Sequence, residues 1–454
     1  MPLGVPGTDE IRKILVRRVD HQKQAVGIVV GVIEPNGRRV VAYGGLAAGD
    51  SRTLDGDTIF EIGSVSKIFT ALLLADMVER GEVGLDDRAG EYLPGHVRMP
   101  ERSGKSITLL DLATHRSGLP RLPSNLKPKD PADPYAGYSM DDLFEFLSGY
   151  TLPRDPGAEY EYSSLGGGLL GNLLAFRAGT DYESLVRLRI ARPLGMADTG
   201  ITLSAPMEQR MATGHSGMLA PVSNWDLRTL AGAGALRSSA NDMLRFLEAF
   251  LGYRESPLAP AMQAMLEVRR PAGQIQIGLG WLISASGGRE IVWHNGGTGG
   301  FRSFVGWDRQ ERIGVVVLSN AFTLAGVDDI GFHLLNPKLP LADPEPPQER
   351  TEIAIDRRLL DRYTGRYQVT PSLILEITRD GDRLFAQALV QLPNPGTGGP
   401  TAAPKFELFA EGEKNFFAKV TDKQIAFETG SGDRATSLIL YQNGRKPMPA
   451  ARVS

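Results

Sequence analysis

The chain has 454 residues, of which 42% are hydrophobic and 23% are charged, and its formal net charge is −3. A chain of this length should fold around two or three cores, and this composition is ordinary for a soluble globular protein. The slightly acidic balance, without a block of lysine or arginine, argues against a nucleic-acid partner. The complete lack of cysteine excludes disulfides, thiolate catalysis and cysteine-ligated metals.

The first residues of the chain lack the basic segment and following apolar segment of a secretory signal. The chain as given therefore predicts a cytoplasmic protein, or a periplasmic or secreted one if a signal has been removed. The apolar run at residues 68–78 is too short to cross a bilayer, so no membrane span is expected.

The first predicted elements are two strands at residues 25–34 and 38–43, which Pro35-Asn36-Gly37 joins as a hairpin. Helical patterns dominate from residue 64 to about residue 192. Strand patterns return later in the chain, at residues 278–284, 290–294, 301–308 and 313–320. Strands at both ends of this region predict an α+β domain whose first and last strands share one antiparallel sheet.

A proline-rich segment at residues 337–350 indicates a stiff linker between a first domain, residues 1–336, and a second, residues 351–454. Six short strand patterns separated by turn sequences follow the linker, at residues 373–379, 383–389, 406–410, 415–420, 424–428 and 437–442. They predict an all-β barrel or sandwich.

The segment Ser64-Val65-Ser66-Lys67 runs directly into the apolar stretch at residues 68–78. Ser64 then lies at a predicted helix start, and Lys67 lies one turn later on the same face. A partly desolvated lysine can take the proton of a serine hydroxyl, and the N–H groups of a helix start favour a developing anion. The pattern predicts a nucleophilic serine. A second Ser-x-x-Lys, at residues 124–127, lies between prolines and is not expected to be helical.

Two later segments contain residue types that such a site needs. In Tyr160-Glu161-Tyr162-Ser163-Ser164, a tyrosine facing a cationic lysine could pass a proton to a leaving group. In Trp293-His294-Asn295-Gly296-Gly297, the glycines would let a substrate approach free backbone N–H groups, and His294 could shuttle protons or bind a substrate carboxylate. A structural role remains open at this point for both the tyrosine and the histidine.

The motifs at Ser64–Lys67, Tyr162-Ser163-Ser164 and His294-Asn295-Gly296 resemble, in order and approximate spacing, the active-site motifs of the serine β-lactamase and penicillin-binding-protein superfamily. The resemblance is to the class C branch with its esterase and D-aminopeptidase relatives, and it covers roughly residues 10–335. It implies an antiparallel sheet with flanking helices and an all-helical subdomain. Residues 351–454 resemble the lipocalin-like β-barrel that follows some D-aminopeptidases.

This resemblance implies catalytic roles for three side chains and two backbone groups. Ser64 would be the acylated nucleophile, and Lys67 and Tyr162 would share general acid and base catalysis. The backbone N–H groups of Ser64 and Gly297 would form the oxyanion hole.

The resemblance also implies that Ser164, His294, Asn295 and Gly296 bind the substrate. Ser164 occupies a position where this family usually has asparagine, and His294 one where β-lactamases have lysine. A serine cannot reproduce the reach of an amide, and a neutral imidazole attracts a carboxylate less than an ammonium does. Both departures favour esterases and peptidases over efficient β-lactamases.

The predicted function is therefore a serine acyl hydrolase that acts through an acyl-enzyme on small esters, amides or D-amino-acid peptides, with β-lactams cleaved well or poorly. The alternatives are a true class C-like β-lactamase, a penicillin-binding or sensor protein acylated without turnover, and a binding module whose barrel holds an apolar ligand. No cofactor or metal is expected, because the six histidines are scattered. A small-molecule or short-peptide substrate is the expected partner, and a homo-oligomer is compatible with the sequence. The Gly-x-Gly-x-x-Gly match at residues 166–171 is assigned to close helix packing.

Overall fold

The computed structural model describes residues 4–286, 288–323, 325–347, 350–371, 373–390, 401–402, 405–419, 423–430, 432–442 and 446–453. Within these residues, an eight-stranded antiparallel sheet forms the first domain's centre. Its strands, in order across the sheet, are Gly37–Gly44, Gly27–Glu34, Ile313–Ser319, Arg302–Asp308, Arg289–Gly297, Leu282–Ser286, Ile275–Ile277 and Arg270–Ala272.

The predicted hairpin and the predicted pairing of the first and last strands are both confirmed. Val30 lies opposite Val41 in the hairpin. On its other side it lies opposite Val317 in Ile313–Ser319, the last of the eight strands in chain order. The prediction was wrong at residues 278–281, where the chain turns between the strands Ile275–Ile277 and Leu282–Ser286. Gly280 has φ +73°, a left-handed conformation that an ordinary strand residue does not adopt.

Helices cover both faces of this sheet and form a separate cluster beside it. The α-helices of the described residues are Thr8–Val16, Ser66–Glu79, Leu109–Ala113, Met140–Gly149, Ser164–Ala178, Tyr182–Val186, Arg192–Leu194, Ala205–Arg210, Ala231–Gly234, Ala240–Phe250, Ala259–Glu267, Asp328–Leu335 and Leu360–Tyr363. Short two-stranded pairs join Ile59–Glu61 to Arg237–Ser239, Glu101–Arg102 to Lys105–Ser106 and Gly214–His215 to Pro221–Val222.

The helix Ser66–Glu79 is the buried centre of the first domain. Apolar residues surround it on nearly every side, so the domain must pack against all of its faces. Leu72 and Leu73 share a core with sheet residues such as Val29, and with Leu169 of the helix Ser164–Ala178. On the other face of the sheet, the helices Thr8–Val16 and Asp328–Leu335 cover a second core.

The second domain is a closed barrel of eight antiparallel strands. Their order around the barrel is Leu373–Asp380, Gly365–Thr370, Met448–Arg452, Ala435–Tyr441, Gln424–Thr429, Asn415–Phe417, Phe406–Ala410 and Arg383–Val390, and the last pairs with the first. Thr401–Ala402 adds a short strand beside Arg383–Val390. The barrel is thus confirmed over the sandwich. Gly365–Thr370 and Met448–Arg452 were not predicted. Proline and alanine give Met448–Arg452 little β-propensity, whereas Tyr367, Val369 and Thr370 are β-forming residues that could have indicated the other strand.

The barrel interior is filled by aromatic side chains. The rings of Tyr363 and Phe427 stack with centroids 4.6 Å apart, and Phe416 contacts both. Tyr367 is buried beside them and donates its hydroxyl proton to the Tyr363 carbonyl at 2.8 Å. This packed interior gives no support to the alternative of a barrel that holds an apolar ligand.

Candidate active site

Ser64 lies in the 3₁₀ turn Gly63–Val65, and the α-helix begins two residues later, at Ser66. The predicted helix start at Ser64 is therefore a 3₁₀ turn that leads directly into the α-helix. The segment around Leu236 holds this turn in place: the Ile62 N–H donates to the Leu236 carbonyl, and the Leu236 N–H donates to the Ser66 hydroxyl, each at 3.1 Å. Ser64 itself is half-buried.

Lys67 is almost fully buried directly behind Ser64. Its Nζ lies 3.1 Å from Ser64 Oγ and donates to the Ala233 carbonyl at 2.6 Å. Burial lowers the pKa of Lys67; the charge of Tyr162 opposes this shift, and that of Arg121 adds to it. Lys67 is thus placed and tuned to act as a base toward the Ser64 hydroxyl.

The Tyr162 ring packs against Lys67 on the side of the site formed by the helix Ser164–Ala178. Lys67 Nζ lies 4.9 Å from the ring centroid, and the Arg121 guanidinium carbon lies 5.2 Å from it. The His115 ring packs on Tyr162 with centroids 4.5 Å apart. Tyr162 therefore packs against Lys67, Arg121 and the His115 imidazole.

His115 supports Tyr162 from within the core. It has φ +55° and is buried, and its Nδ1 accepts the Ser163 N–H at 3.2 Å, so the Nε2 atom carries the proton. Burial and the charges of Lys67, His294 and Arg121 lower the pKa of His115 well below its ordinary value. A neutral imidazole therefore links Tyr162 to the start of the helix Ser164–Ala178.

His294 is buried on the strand Arg289–Gly297, with its ring centroid 6.5 Å from that of Tyr162. Its Nδ1 lies 2.6 Å from the Asn295 carbonyl oxygen, which can only accept, so Nδ1 carries the proton and Nε2 is left as an acceptor. Burial, aided by the charge of Lys67 and opposed by the Asn295 carbonyl, lowers the pKa of His294 to about 4. His294 is neutral at pH 7 and provides no charge to attract a carboxylate.

Of the other two predicted side chains near this group, that of Asn295 does not join it. Asn295 donates its Nδ2 proton to Asp328, at the start of a helix on the opposite face of the sheet. Ser164 is the first residue of the helix Ser164–Ala178, and its N–H donates to the Arg121 carbonyl at 3.0 Å. It is half-buried beside Tyr162. The structure brings together Ser64, Lys67, Tyr162 and His294, while the Asn295 side chain points away from them.

The strand that carries Gly296 and Gly297 passes very close to the Ser64 turn. A Cβ added at Gly296 would lie 2.0 Å from the Ile62 carbonyl oxygen, and one added at Gly63 would lie 2.6 Å from the Gly297 amide nitrogen. Directly after this strand, the Thr298 N–H donates at 3.1 Å to the carbonyl of Phe301, the residue before the neighbouring strand Arg302–Asp308. Since successive N–H groups alternate in direction along a strand, that of Gly297 points away from the neighbouring strand.

The family of the chain follows from its match to known protein families. Residues 12–335 match the model of the beta-lactamase family. The chain belongs to this family. Residues 349–450 match a second family, described as a domain of unknown function (DUF3471).

Relatives and a solved structure resemble this beta-lactamase family member over most of its length. The D-alanyl-D-alanine-carboxypeptidase/endopeptidase AmpH of Escherichia coli (strain K12) is 31% identical over 325 residues, which cover 67% of this chain and 83% of AmpH. Penicillin-binding protein 4* of Bacillus subtilis is 27% identical over 421 residues, 87% of this chain and 88% of that protein. The crystal structure of a beta-lactamase/D-alanine carboxypeptidase from Yersinia pestis superposes on this chain with a TM-score of 0.64 at 26% identity. The superposition covers 74% of this chain and 99% of the Yersinia pestis chain. This family member is a serine hydrolase.

Sequence reasoning on this beta-lactamase family member missed a wall of the site formed by long loops. Trp225 contacts the Tyr135 ring with centroids 5.1 Å apart, and a Cβ at Gly299 would lie 2.6 Å from the Trp225 indole nitrogen. The backbone N–H of Trp225 donates to the buried carboxylate of Glu61 at 3.2 Å. The Arg237 guanidinium donates to the same carboxylate oxygen at 3.1 Å. Tertiary structure alone brings these residues to the site, so spacing gave no signal for them.

The signal for His115 was present in the sequence. It lies in the segment at residues 109–119, which resembles the family, but nothing in that segment indicated contact with Tyr162. Among the described residues, no group of three or more histidine, aspartate or glutamate side chains could hold a metal ion. In the same residues, no helix has the length and apolar character needed to cross a membrane.

Proposed function

We propose that this beta-lactamase family member hydrolyses small esters, amides or short D-amino-acid peptides through an acyl-enzyme on Ser64. The observation that carries the proposal is the 3.1 Å separation of Ser64 Oγ and Lys67 Nζ, with Lys67 buried and its pKa lowered. The relative AmpH, named a D-alanyl-D-alanine-carboxypeptidase/endopeptidase, supports D-amino-acid peptides as the substrate class.

Acylation begins when neutral Lys67 accepts the proton of the Ser64 hydroxyl while the oxygen attacks the substrate carbonyl. The carbonyl π electrons move to its oxygen, and the N–H groups of Ser64 and Gly297 stabilise the resulting oxyanion. When the tetrahedral intermediate collapses, the bond to the leaving group breaks and the Tyr162 hydroxyl donates a proton to that group. Lys67 returns a proton to Tyr162, so the pair ends neutral.

Deacylation repeats these steps with water as the nucleophile. Lys67 and Tyr162 take one proton from the attacking water, and the second tetrahedral intermediate forms at the same pair of backbone N–H groups. The ester bond to Ser64 then breaks, and the serine oxygen recovers the proton. The products are a free acid and the restored hydroxyl.

The state of His294 favours esters and peptides over β-lactams in this proposal. A neutral histidine that offers an acceptor nitrogen can orient the Tyr162 hydroxyl or a substrate N–H. It cannot attract a β-lactam carboxylate as an ammonium group would. The side chain of Ser164 is also too short to reproduce the hydrogen bonds of an asparagine amide.

The test compares wild type with Ser64→Ala on a chromogenic cephalosporin, a short-chain nitrophenyl ester and a D-alanyl nitroanilide. We expect the ester or the D-amide to show the highest kcat/KM, and Ser64→Ala to lose turnover of all three. Dominance of the cephalosporin would instead indicate a true β-lactamase. One stable acyl adduct per chain by intact mass, without turnover, would indicate a penicillin-binding sensor. Full activity of Ser64→Ala would overturn the mechanism.

A further inference from the structure

Three side chains that can carry a positive charge lie beside the Tyr162 ring, and two of them provide no free charge. Lys67 is buried and bonded to Ser64 and the Ala233 carbonyl. His294 is neutral at pH 7. The third is Arg121, whose side chain is exposed and lies over the Tyr162 ring. Arg121 is therefore the accessible positive charge of this group.

The Arg121 guanidinium has no carboxylate partner among the described residues. The donors of two other arginines of this domain are occupied. Arg116 donates to the carbonyls of Gly157, Ala158 and Pro271, and Arg154 is paired with Glu161. Arg121 thus keeps its donors free for a ligand, at the opening of a site lined by tyrosines.

The backbone of Arg121 is held firmly beside the catalytic group. Its carbonyl oxygen accepts the N–H groups of Ser164 and Leu165, the first two residues of the helix that follows Tyr162, at 3.0 and 3.1 Å. The Arg121 guanidinium carbon lies 5.2 Å from the centroid of the Tyr162 ring, within the range of cation–π contacts. The side chain therefore starts from a fixed point of the backbone beside Tyr162.

We propose that Arg121 binds a carboxylate of the substrate and gives the enzyme a preference for anionic substrates. The inference rests on the proposed hydrolase function and deepens it by naming the substrate class. A planar guanidinium can donate two parallel hydrogen bonds to a carboxylate, which neutral His294 cannot do. The carboxylate can belong to the acyl part of the substrate or to its leaving group, and both sources present the same chemistry to Arg121.

The experiment uses two pairs of substrates that match in length and differ in charge. For the acyl side, mono-p-nitrophenyl succinate is compared with p-nitrophenyl butyrate, whose acyl chain has the same number of carbons and ends in a methyl group. For the leaving-group side, N-acetyl-D-alanyl-D-alanine is compared with its C-terminal amide. The measured quantity is the ratio of kcat/KM for the anionic substrate to kcat/KM for its neutral partner, so a general loss of activity cancels.

The variants are Arg121→Gln, Arg121→Lys and the matched control Arg228→Gln. Arg228 carries the same charge in the same domain, and its side chain is 85% exposed and paired with Asp226. We expect Arg121→Gln to lower the ratio about tenfold or more for one pair, the loss of a hydrogen bond to a charged group. Arg121→Lys should keep part of the preference, and Arg228→Gln all of it. The pair that responds identifies the carboxylate.

An unchanged ratio in Arg121→Gln for both pairs would overturn the proposal, even if both activities fell equally. If wild type cleaves none of the substrates, the proposed function fails, and binding then tests Arg121 separately. In that test, calorimetry compares the affinities of Ser64→Ala and of Ser64→Ala with Arg121→Gln for N-acetyl-D-alanyl-D-alanine and its amide. Loss of affinity for the acid alone supports the role of Arg121, and equal affinities in the two proteins refute it.

Discussion

Gly63 and Gly297 lie so close together that a Cβ at Gly63 would be 2.6 Å from the amide nitrogen of Gly297 and 2.8 Å from its carbonyl oxygen. Gly63 also has φ +51°, which a residue with a side chain rarely adopts. The turn that precedes Ser64 and the strand that carries the second proposed oxyanion donor are thus in direct backbone contact. Any side chain at Gly63 must separate the two donors.

We predict that Gly63→Ala lowers kcat/KM about 10²-fold or more, the loss that follows removal of one oxyanion donor. Gly81→Ala is the matched control, because Gly81 has φ +68° but no atom lies within 4 Å of its added Cβ. Both variants should lose about 1–2 kcal/mol of stability through backbone strain, and Gly63→Ala should lose more because its Cβ also displaces the Gly297 backbone. Steady-state kinetics with the preferred ester, together with thermal unfolding, separates the two effects. Equal activity of the two variants would show that Gly297 does not need to lie beside Ser64.

We predict that Tyr162→Phe slows turnover about 10²-fold or more, because the proposed proton donor to the leaving group is lost. The ring should keep its packing against His115 and Lys67, so stability should change little. Tyr160→Phe is a suitable control, since Tyr160 contacts the same imidazole by its ring edge, with centroids 5.9 Å apart. The loss should be larger for a nitroanilide than for a nitrophenyl ester, because the phenolate leaves without protonation. A near wild-type rate with the nitroanilide would assign the proton to another group.

Local rules predicted the parts of this molecule that depend on short stretches of chain. Ser64 and Lys67 are three residues apart on one turn, so no tertiary information was needed to place them together. The glycines at residues 166–171 were correctly assigned to helix packing: a Cβ at Gly168 would lie 2.8 Å from Leu230 Cα, and one at Gly171 would lie 3.0 Å from Gly232 Cα. Six barrel strands were predicted because their apolar residues alternate.

The parts that escaped prediction depend on contacts between distant segments. Arg121 and Trp225 lie in loops, and neither has a periodicity that would mark it as part of a site. Asn295 differs, because it follows His294 directly in one strand, and consecutive strand residues point to opposite faces. If His294 faces Lys67, the Asn295 side chain must face the helix Asp328–Leu335, as it does. Strand geometry could have separated these two residues from the sequence alone.

We predict that Arg121→Gln moves the acidic limb of kcat/KM for the neutral ester to higher pH. Activity requires neutral Lys67, and the positive charge of Arg121 lowers the pKa of Lys67, although burial is the larger cause. Removal of that charge makes protonated Lys67 less unfavourable, so its pKa rises and a higher pH is needed for the active form. Arg228→Gln should leave the limb in place. A shift to lower pH, or none, would show that Lys67 is not the group that titrates.

We predict that His294 makes the first domain less stable as the pH falls from about 6.5 to about 4. Its pKa is about 4 in the folded chain and near 6.5 when unfolded, so over this range the unfolded state binds a proton that the folded state does not. Above about pH 6.5 the protonation of His294 does not change the free energy of unfolding. Near pH 4 it lowers that free energy by about 3 kcal/mol, since each pKa unit corresponds to about 1.4 kcal/mol. Buried His115 acts in the same direction, so His294→Asn should reduce this dependence without abolishing it.

Urea unfolding followed by tryptophan fluorescence at several pH values measures this effect in the first domain. All four tryptophans, at positions 225, 281, 293 and 307, belong to that domain, so the signal excludes the barrel. His96→Asn is the matched control, because it removes an exposed imidazole from the same domain. The slope of unfolding free energy against pH should be smaller in His294→Asn than in wild type or His96→Asn. Equal slopes in all three proteins would mean that the pKa of His294 is the same in the folded and unfolded states, and burial would then not lower it.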